Sequence, residues 1–126
     1  MPRENLLPRT VAEMVEEDHL HLAFLLDLLE DELSAGQPVA GRLAQLRRDF
    51  GRHAIRTQQV LERHRPELLE DLRLGHERMS ALLLRMSAEL VNGVDIQPTL
   101  DQILALFTGQ LLPANKVFKE MRSIAP

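Results

Sequence analysis

Three histidines occupy the apolar faces of predicted helices, where imidazole groups could do chemistry. His19 and His76 stand three or four residues from apolar neighbours on both sides, and His53 follows Phe50 by three residues, which is the spacing of one helix face. Facing side chains meet in the core of a helical bundle, and imidazole is the commonest metal ligand among side chains. A single buried histidine is more typical of a hydrogen-bonded core residue. The spacing alone therefore leaves two interpretations open, a shared metal site or three separately hydrogen-bonded histidines.

The two remaining histidines are predicted to lie outside such a site. His21 follows His19 by two residues, which places it about 200° around the helix, at an edge or at a seam between helices. His64 stands at a predicted helix end, where an imidazole stabilises the last carbonyls and the negative end of the helix dipole. Met79 and Met86 are predicted to fill gaps in the core.

Capping and helix-breaking residues divide the sequence into four helices. Thr10 and Glu13 form a capping box at the start of the first helix. Pro66 opens the third helix, Gly93 ends it, and Asp95 is the predicted N-cap of the fourth. The predicted helices are about 11–34, 39–64, 66–92 and 96–121. Their lengths and short connections predict a single all-α domain over residues 1–126, an antiparallel up-down-up-down four-helix bundle.

The fourth predicted helix combines an apolar face with two helix-breaking residues. Gly109 and Pro113 lie within it, and a proline inside a helix removes one hydrogen bond and clashes with the preceding turn. We therefore expect a kink or a local break close to Pro113, which could open a pocket beside Gln110. The predicted inner face consists of Leu100, Ile103, Phe107, Gln110, Ala114, Val117 and Met121.

The composition argues against several classes of function. The net charge is -4, whereas a nucleic-acid-binding protein needs a basic face. The sequence has neither a signal-peptide pattern at its N-terminus nor the run of about 20 apolar residues that spans a membrane. Cysteine is absent, which removes disulfides and thiolate metal sites and fits a reducing compartment. We expect a cytoplasmic, bacterial protein that binds neither nucleic acid nor a membrane.

Charge is distributed unevenly between the first two helices. Eight acidic residues and no lysine or arginine lie between Val11 and Leu33, whereas the stretch from Arg42 to Arg73 holds eight arginines and five acidic residues. The pattern predicts complementary outer faces that help neighbouring helices to pair. A partner-binding patch is the alternative interpretation.

Three passages of the chain resemble the hemerythrin-like family, the histidine-histidine-glutamate cation-binding domains. They are EEDHLHLAFLLDLLE, which contains His19, RDFGRHAIRTQQVL, which contains His53, and LEDLRLGHERMSALL, which contains His76. In each passage the histidine stands where the family has a metal ligand. The resemblance extends from about Val11 to Met121, and it rests on the order and spacing of the three passages.

The resemblance implies a site for two non-haem irons bridged by oxygen and carboxylates, in proteins that carry or sense dioxygen, handle nitric oxide or peroxide, or store and repair iron. Several of the family's ligands are replaced in this chain. The first bridging glutamate corresponds to Thr57, the histidine of the fourth helix to Gln110, and its carboxylate partner to Ala114. Because a diferric pair needs anionic bridges, we do not expect a standard di-iron oxygen carrier.

Two functions are compatible with the remaining residues. In the first, His19, His53 and His76 bind at most one divalent ion, Fe, Zn, Co or Ni, with Thr57 and Gln110 as additional residues lining the site. An open position on that ion could take a small diatomic ligand. In the second, no metal is bound, the histidines are hydrogen-bonded, and the bundle is an interaction or regulatory module that forms a homodimer or binds a protein partner.

The replacement of several ligands at once favours a site that has changed its role, and we give precedence to metal binding. A carboxylate beside His19, either Glu17 or Asp18, could complete the ligand shell. No nucleophile and base stand at a useful spacing, and no glycine-rich phosphate loop is present. We therefore do not expect an enzyme.

Overall fold

The computed structural model describes residues 10–121, apart from the side chain of residue 115, and every regular element within them is helical. The elements in chain order are α1 (Val11–Ser34), α2 (Ala40–His64), a 3-10 turn (Pro66–Leu68), α3 (Leu69–Val91), α4 (Gln97–Leu106), a π-helical turn (Phe107–Leu111) and α5 (Asn115–Lys119). The all-α class predicted from the sequence is confirmed for these residues. The predicted bounds of α1 agree with the structure, and those of α2 differ by one residue.

Side-chain caps and glycines set the ends of the helices. The Thr10 hydroxyl accepts a hydrogen bond from the backbone N–H of Glu13 at 3.2 Å, and this satisfies one donor that has no partner within α1. Gly36 and Gly93 adopt φ angles of 69° and 70° just after α1 and α3. Because residues with side chains rarely take this left-handed conformation, glycine is well suited to end a helix there.

The first turns of the third and fourth helices are also stabilised locally. Pro66 stands at the first position of the 3-10 turn that leads into α3, where its missing N–H leaves no hydrogen bond unmade. The Asp95 carboxylate accepts a hydrogen bond from the N–H of Gln97 at 3.0 Å. Asp95 therefore satisfies a free donor at the start of α4, although Ile96, one residue after the predicted N-cap, holds the N-cap position.

The helices pack around an apolar core in two parts. α1 packs against α2, α2 against α3, α3 against α4, and α5 against α1. The large core cluster comprises Leu22, Leu25, Leu26, Leu29, Val39, Leu43, Leu46, Phe50, Ala54, Met79, Leu83, Met86, Ile96, Leu100, Ile103, Phe107 and Leu111. The small core cluster comprises Val11, Met14, Val15, Val60, Leu61, Phe118 and Met121.

The fourth helical segment, predicted over about 96–121 with a kink or break close to Pro113, is interrupted between α4 and α5. The Leu112 N–H donates to the Phe107 carbonyl at 2.9 Å, a five-residue spacing that adds one residue to the turn. Pro113 follows at once, and its ring would clash with a carbonyl four residues earlier in a regular helix. The predicted break close to Pro113 is therefore confirmed. At the end of this turn Leu111 lies in the core, where it is 5% exposed, whereas Gln110 is exposed.

The outer faces of the helices are charged, as the sequence predicts. Arg42 of α2 pairs with Glu32 of α1 at 2.9 Å, and Asp49 of α2 pairs with His21 of α1 at 2.8 Å. These contacts join the acidic helix to the arginine-rich one. No helix in residues 10–121 has both the length and the apolar character needed to cross a membrane.

Candidate functional site

The bundle brings His19, His53 and His76 together in a buried layer. Their exposures are 6%, 4% and 3%, so the predicted inward orientation of all three is confirmed. The ring centroids are 4.8 Å apart for His19 and His53 and 5.6 Å apart for His53 and His76. Along α1, His19 lies between the small and the large core cluster. The layer is therefore a polar interruption of an otherwise apolar interior.

The orientation of His53 is set by Asp18, a residue of α1. The Nδ1 atom of His53 lies 2.8 Å from Oδ2 of Asp18, and since a carboxylate accepts, Nδ1 carries the proton and donates it. Arg56 pairs with the other carboxylate oxygen of Asp18. Burial by itself raises the pKa of Asp18, but the hydrogen bond and charge of His53, together with Arg56, hold the pKa below its ordinary value. Asp18 is thus an anion that fixes the His53 tautomer.

The second ring nitrogen of His53 faces His19. The two Nε2 atoms are 3.2 Å apart. With Nδ1 of His53 protonated, Nε2 of neutral His53 has a free lone pair and accepts a hydrogen bond from Nε2–H of His19. The same separation suits chelation, since two nitrogens bound at 2.0–2.1 Å to one tetrahedral ion lie about 3.3 Å apart. The pair can therefore share either a proton or a metal ion.

His76 is held by α2 from the other side. Nε2 of the Gln58 amide lies 3.0 Å from Nδ1 of His76, and the Phe50 ring meets the imidazole edge-on at 5.5 Å. Burial, followed by the charges of His53 and His19, lowers the pKa of His76 to about 3. His76 is therefore neutral near pH 7. For Nε2 to become a ligand, the Gln58 amide must turn so that its oxygen accepts the Nδ1 proton.

The described residues do not form a complete three-ligand site. Within residues 10–121, no group of three or more His, Cys, Asp or Glu side chains stands in a geometry that could hold a metal ion. The three rings are adjacent, but the structure places a pair of nitrogens, those of His19 and His53, at ligand spacing. A metal site here depends on a reorientation of His76.

A bridged di-iron centre does not fit the interior. The buried polar residues among those described are the three histidines with Thr57 and Thr99, so this core holds no fully buried carboxylate to bridge two irons. Thr57 is 1% exposed, and its hydroxyl donates to the carbonyl of His53 at 2.9 Å. Thr57 thus lies beside the layer, as predicted, with its proton directed to the backbone.

The structure does not bring Gln110 to the histidine layer. The π-helical turn leaves it exposed, and Phe107 of the same turn lies next to His19, with ring centroids 6.0 Å apart. Glu17, the other carboxylate considered beside His19, is also exposed. An exposed Gln110 gives no support to its predicted role in lining the site.

Sequence reasoning missed Gln58 and Arg56 and did not predict that Asp18 acts through His53. Asp18 precedes His19, and the α1 face that presents it turns toward α2. His53 and Arg56 stand three residues apart on α2, and both contact this carboxylate. Their spacing puts them on one helix face. Placing that face against α1 would have predicted the contact with Asp18. No comparable signal marks Gln58.

His21 and His64 lie where the sequence places them. His21 is exposed and pairs with Asp49 across the seam between α1 and α2 at 2.8 Å. His64 is exposed at the last residue of α2. Neither contributes to the buried layer.

When the chain is compared with models of protein families, with curated proteins and with solved structures, nothing matches it.

Proposed function

We propose that the histidine layer binds one divalent transition-metal ion, Fe, Zn, Co or Ni, with His19 and His53 as the anchoring ligands and His76 as the third. The observation that carries the proposal is the 3.2 Å separation of the two buried Nε2 atoms, which suits two nitrogens bound to one ion. The function remains related to that of hemerythrin-like proteins, with an altered site that holds one ion instead of two.

The surrounding residues support ligation by His53. A histidine that binds metal through one nitrogen generally donates the other ring N–H to a carboxylate or carbonyl, which fixes its tautomer and raises its basicity. Asp18 has this relation to His53 at 2.8 Å, and Arg56 keeps Asp18 ionised and oriented. Burial also lowers the pKa of His76 to about 3, so this imidazole is neutral near pH 7 and has a lone pair to donate.

In this proposal the protein binds a metal ion and does not catalyse a reaction. With three histidines, a tetrahedral ion keeps one position for water or a small diatomic ligand. The residues packed around the three imidazoles hold them in place and limit the access of water to them, since all three are nearly fully buried. The proposal includes an up-down-up-down arrangement of the helices, with α4 and α5 as the fourth segment, and a cytoplasmic location that fits the absence of cysteine.

A second candidate function is a metal-free interaction or regulatory bundle, which acts as a homodimer or with a protein partner. The same distance supports it, because 3.2 Å is also a hydrogen bond between the two imidazoles. The contacts of Asp18 with His53 and of Gln58 with His76 satisfy two more ring nitrogens. Under this alternative, the histidines specify how α1, α2 and α3 pair.

Metal binding by matched histidine variants distinguishes the two functions. Protein purified without added metal is analysed for metal content and then titrated with Fe(II), Zn(II), Co(II) and Ni(II). We expect one ion per chain, lost in His53→Ala and retained in His21→Ala, since His21 is an exposed histidine of α1. If no ion binds at micromolar concentration, and His53→Ala changes only stability, the metal-binding proposal is wrong and the metal-free alternative is favoured. Two irons per chain would contradict the single-ion site.

A further inference from the structure

A groove separate from the histidine layer lies between α3 and the interrupted fourth helical segment. Its volume is about 450 Å³, within the range of roughly 300 to 1,000 Å³ that is usual for small-molecule sites. No histidine lines it. Its apolar walls include Leu61, Leu68, Leu72, Leu111, Val117 and Phe118. The groove thus has the apolar lining that is typical of a ligand site.

The π-helical turn shapes this groove. It directs Leu111 onto Gly75 of α3, where a Cβ atom added to Gly75 would stand 3.3 Å from Cδ2 of Leu111. The absence of a side chain at Gly75 therefore permits this close approach. Beyond the turn, Ala114 lines the groove with a small side chain. π-helical turns occur frequently at functional sites.

Polar groups of opposite charge stand at different points along the groove. Arg78 and Asp71 both line it, and since they are seven residues apart on α3, they are about 10 Å apart along the helix axis. Arg73 pairs with Glu70 and Glu77, and Arg85 pairs with Glu89. Arg78, by contrast, makes no ion pair with any residue in the range 10–121. Gln110 stands on the opposite wall and adds an amide.

We propose that this groove binds a medium-chain fatty acid, with its carboxylate at Arg78 and its hydrocarbon chain along the apolar wall. Charge complementarity selects the anionic end, because an unpaired guanidinium binds a carboxylate through two parallel hydrogen bonds. Asp71 repels that end and so fixes the direction in which the ligand lies. The wall runs from Leu68 of the 3-10 turn to Arg78 of α3, a length of about 15 Å, and this suits an extended chain better than a compact ring.

Calorimetric titration of the full chain with decanoate tests the proposal, with decanol as the neutral probe of the same chain length. We expect saturable binding of one decanoate, weakened about tenfold in Arg78→Gln. Arg73→Gln, on the same helix, is the matched control and should leave the affinity unchanged because Arg73 is already paired. Ala114→Leu fills the groove and should abolish binding, with helix content checked by circular dichroism for every variant.

Several results would overturn the proposal. Absence of saturable decanoate binding would do so, as would equal losses in Arg78→Gln and Arg73→Gln, which would indicate general attraction to arginine. Equal affinity for decanol would show that the groove selects no carboxylate. If a second copy of the chain covers the groove, decanoate will not bind there, and Ala114→Leu will change the molecular mass in sedimentation.

Discussion

The Asp18 carboxylate lies 2.8 Å from Nδ1 of His53, and this contact turns the other nitrogen of the ring toward His19. Asp18 is thus a positioning residue that acts through His53. It lies on the surface side of the layer and is itself held by Arg56.

Asp18→Asn should weaken metal binding while preserving the fold. Asparagine has nearly the same shape and can accept the His53 hydrogen bond, but it carries no charge to raise the basicity of the ring. We expect the affinity for Co(II) or Zn(II), measured by calorimetry, to fall about 10- to 100-fold. Asp49→Asn is the matched control, since Asp49 contacts Nε2 of the exposed His21 at the same distance, 2.8 Å. Equal effects of the two variants would show that Asp18 has no special relation to the site.

Stability of the metal-free protein should fall as the pH decreases from about 6.5. The pKa of His76 is about 3 in the folded chain, against an ordinary value of 6.5, so between these values the unfolded chain binds the additional proton. The resulting loss of unfolding free energy is at most about 1.4 kcal/mol per pH unit. Below the ordinary pKa of 3.8 for Asp18, protonation of that carboxyl adds to the loss, because its folded pKa is lower still.

Urea denaturation of chelator-treated protein between pH 7 and pH 4 measures this slope. His76→Met replaces the imidazole with an apolar side chain of similar size and should flatten the slope. His64→Gln, at the exposed end of α2, should not. A slope that persists in His76→Met would assign the acid sensitivity to other groups.

Substitution of two helical glycines by alanine should have different effects. Gly51 of α2 has no atom within 4 Å of the position of an added Cβ, whereas at Gly75 of α3 that position is 3.3 Å from Leu111. Gly51→Ala should raise the free energy of unfolding by about 0.5 to 1 kcal/mol, the gain in helix propensity. Gly75→Ala should gain less or lose stability, because Leu111 must shift within a packed core. Thermal or urea denaturation gives both values, and equal gains would mean that Leu111 does not pack on Gly75.

The register of the π-helical turn can be tested by alanine substitutions at adjacent positions. Leu111→Ala should lower the free energy of unfolding by about 2 to 4 kcal/mol because it removes a buried side chain from the large core cluster. Gln110→Ala should change it by no more than about 0.5 kcal/mol, since Gln110 is exposed. Equal losses in the two variants would contradict the placement of Leu111 in the core and Gln110 at the surface.

Much of the fold follows from local signals in the sequence. Thr10 and Gly36 mark the start and the end of α1 in the sequence, and in the structure the helix begins directly after Thr10 and ends two residues before Gly36. Pro113 correctly predicts an interruption. The π-helical turn could not be predicted in the same way. Gln110 and Leu111 are consecutive, and the spacing of apolar residues does not decide which of the two faces the core when a turn gains a residue.

The three histidines of the candidate site could be predicted from the sequence, but the residues that contact them could not. His19, His53 and His76 share faces with apolar residues, and burial of those faces brings the rings together. The contacts of Asp18 and Gln58 depend on how α1, α2 and α3 are rotated about their axes, and this is set by packing across the core. Such long-range geometry leaves no local pattern in the sequence.

The histidine layer between the two core clusters affects how the molecule unfolds. Apolar packing is interrupted at the layer, so the small core cluster is linked to the large one through α1 and α2, which contribute residues to both. The two clusters can then behave as separate cooperative units, and amide protons near Phe118 will exchange with solvent sooner than those near Leu29. A metal ion held by His19 and His53 would link α1 to α2 at the boundary and make the two units unfold together.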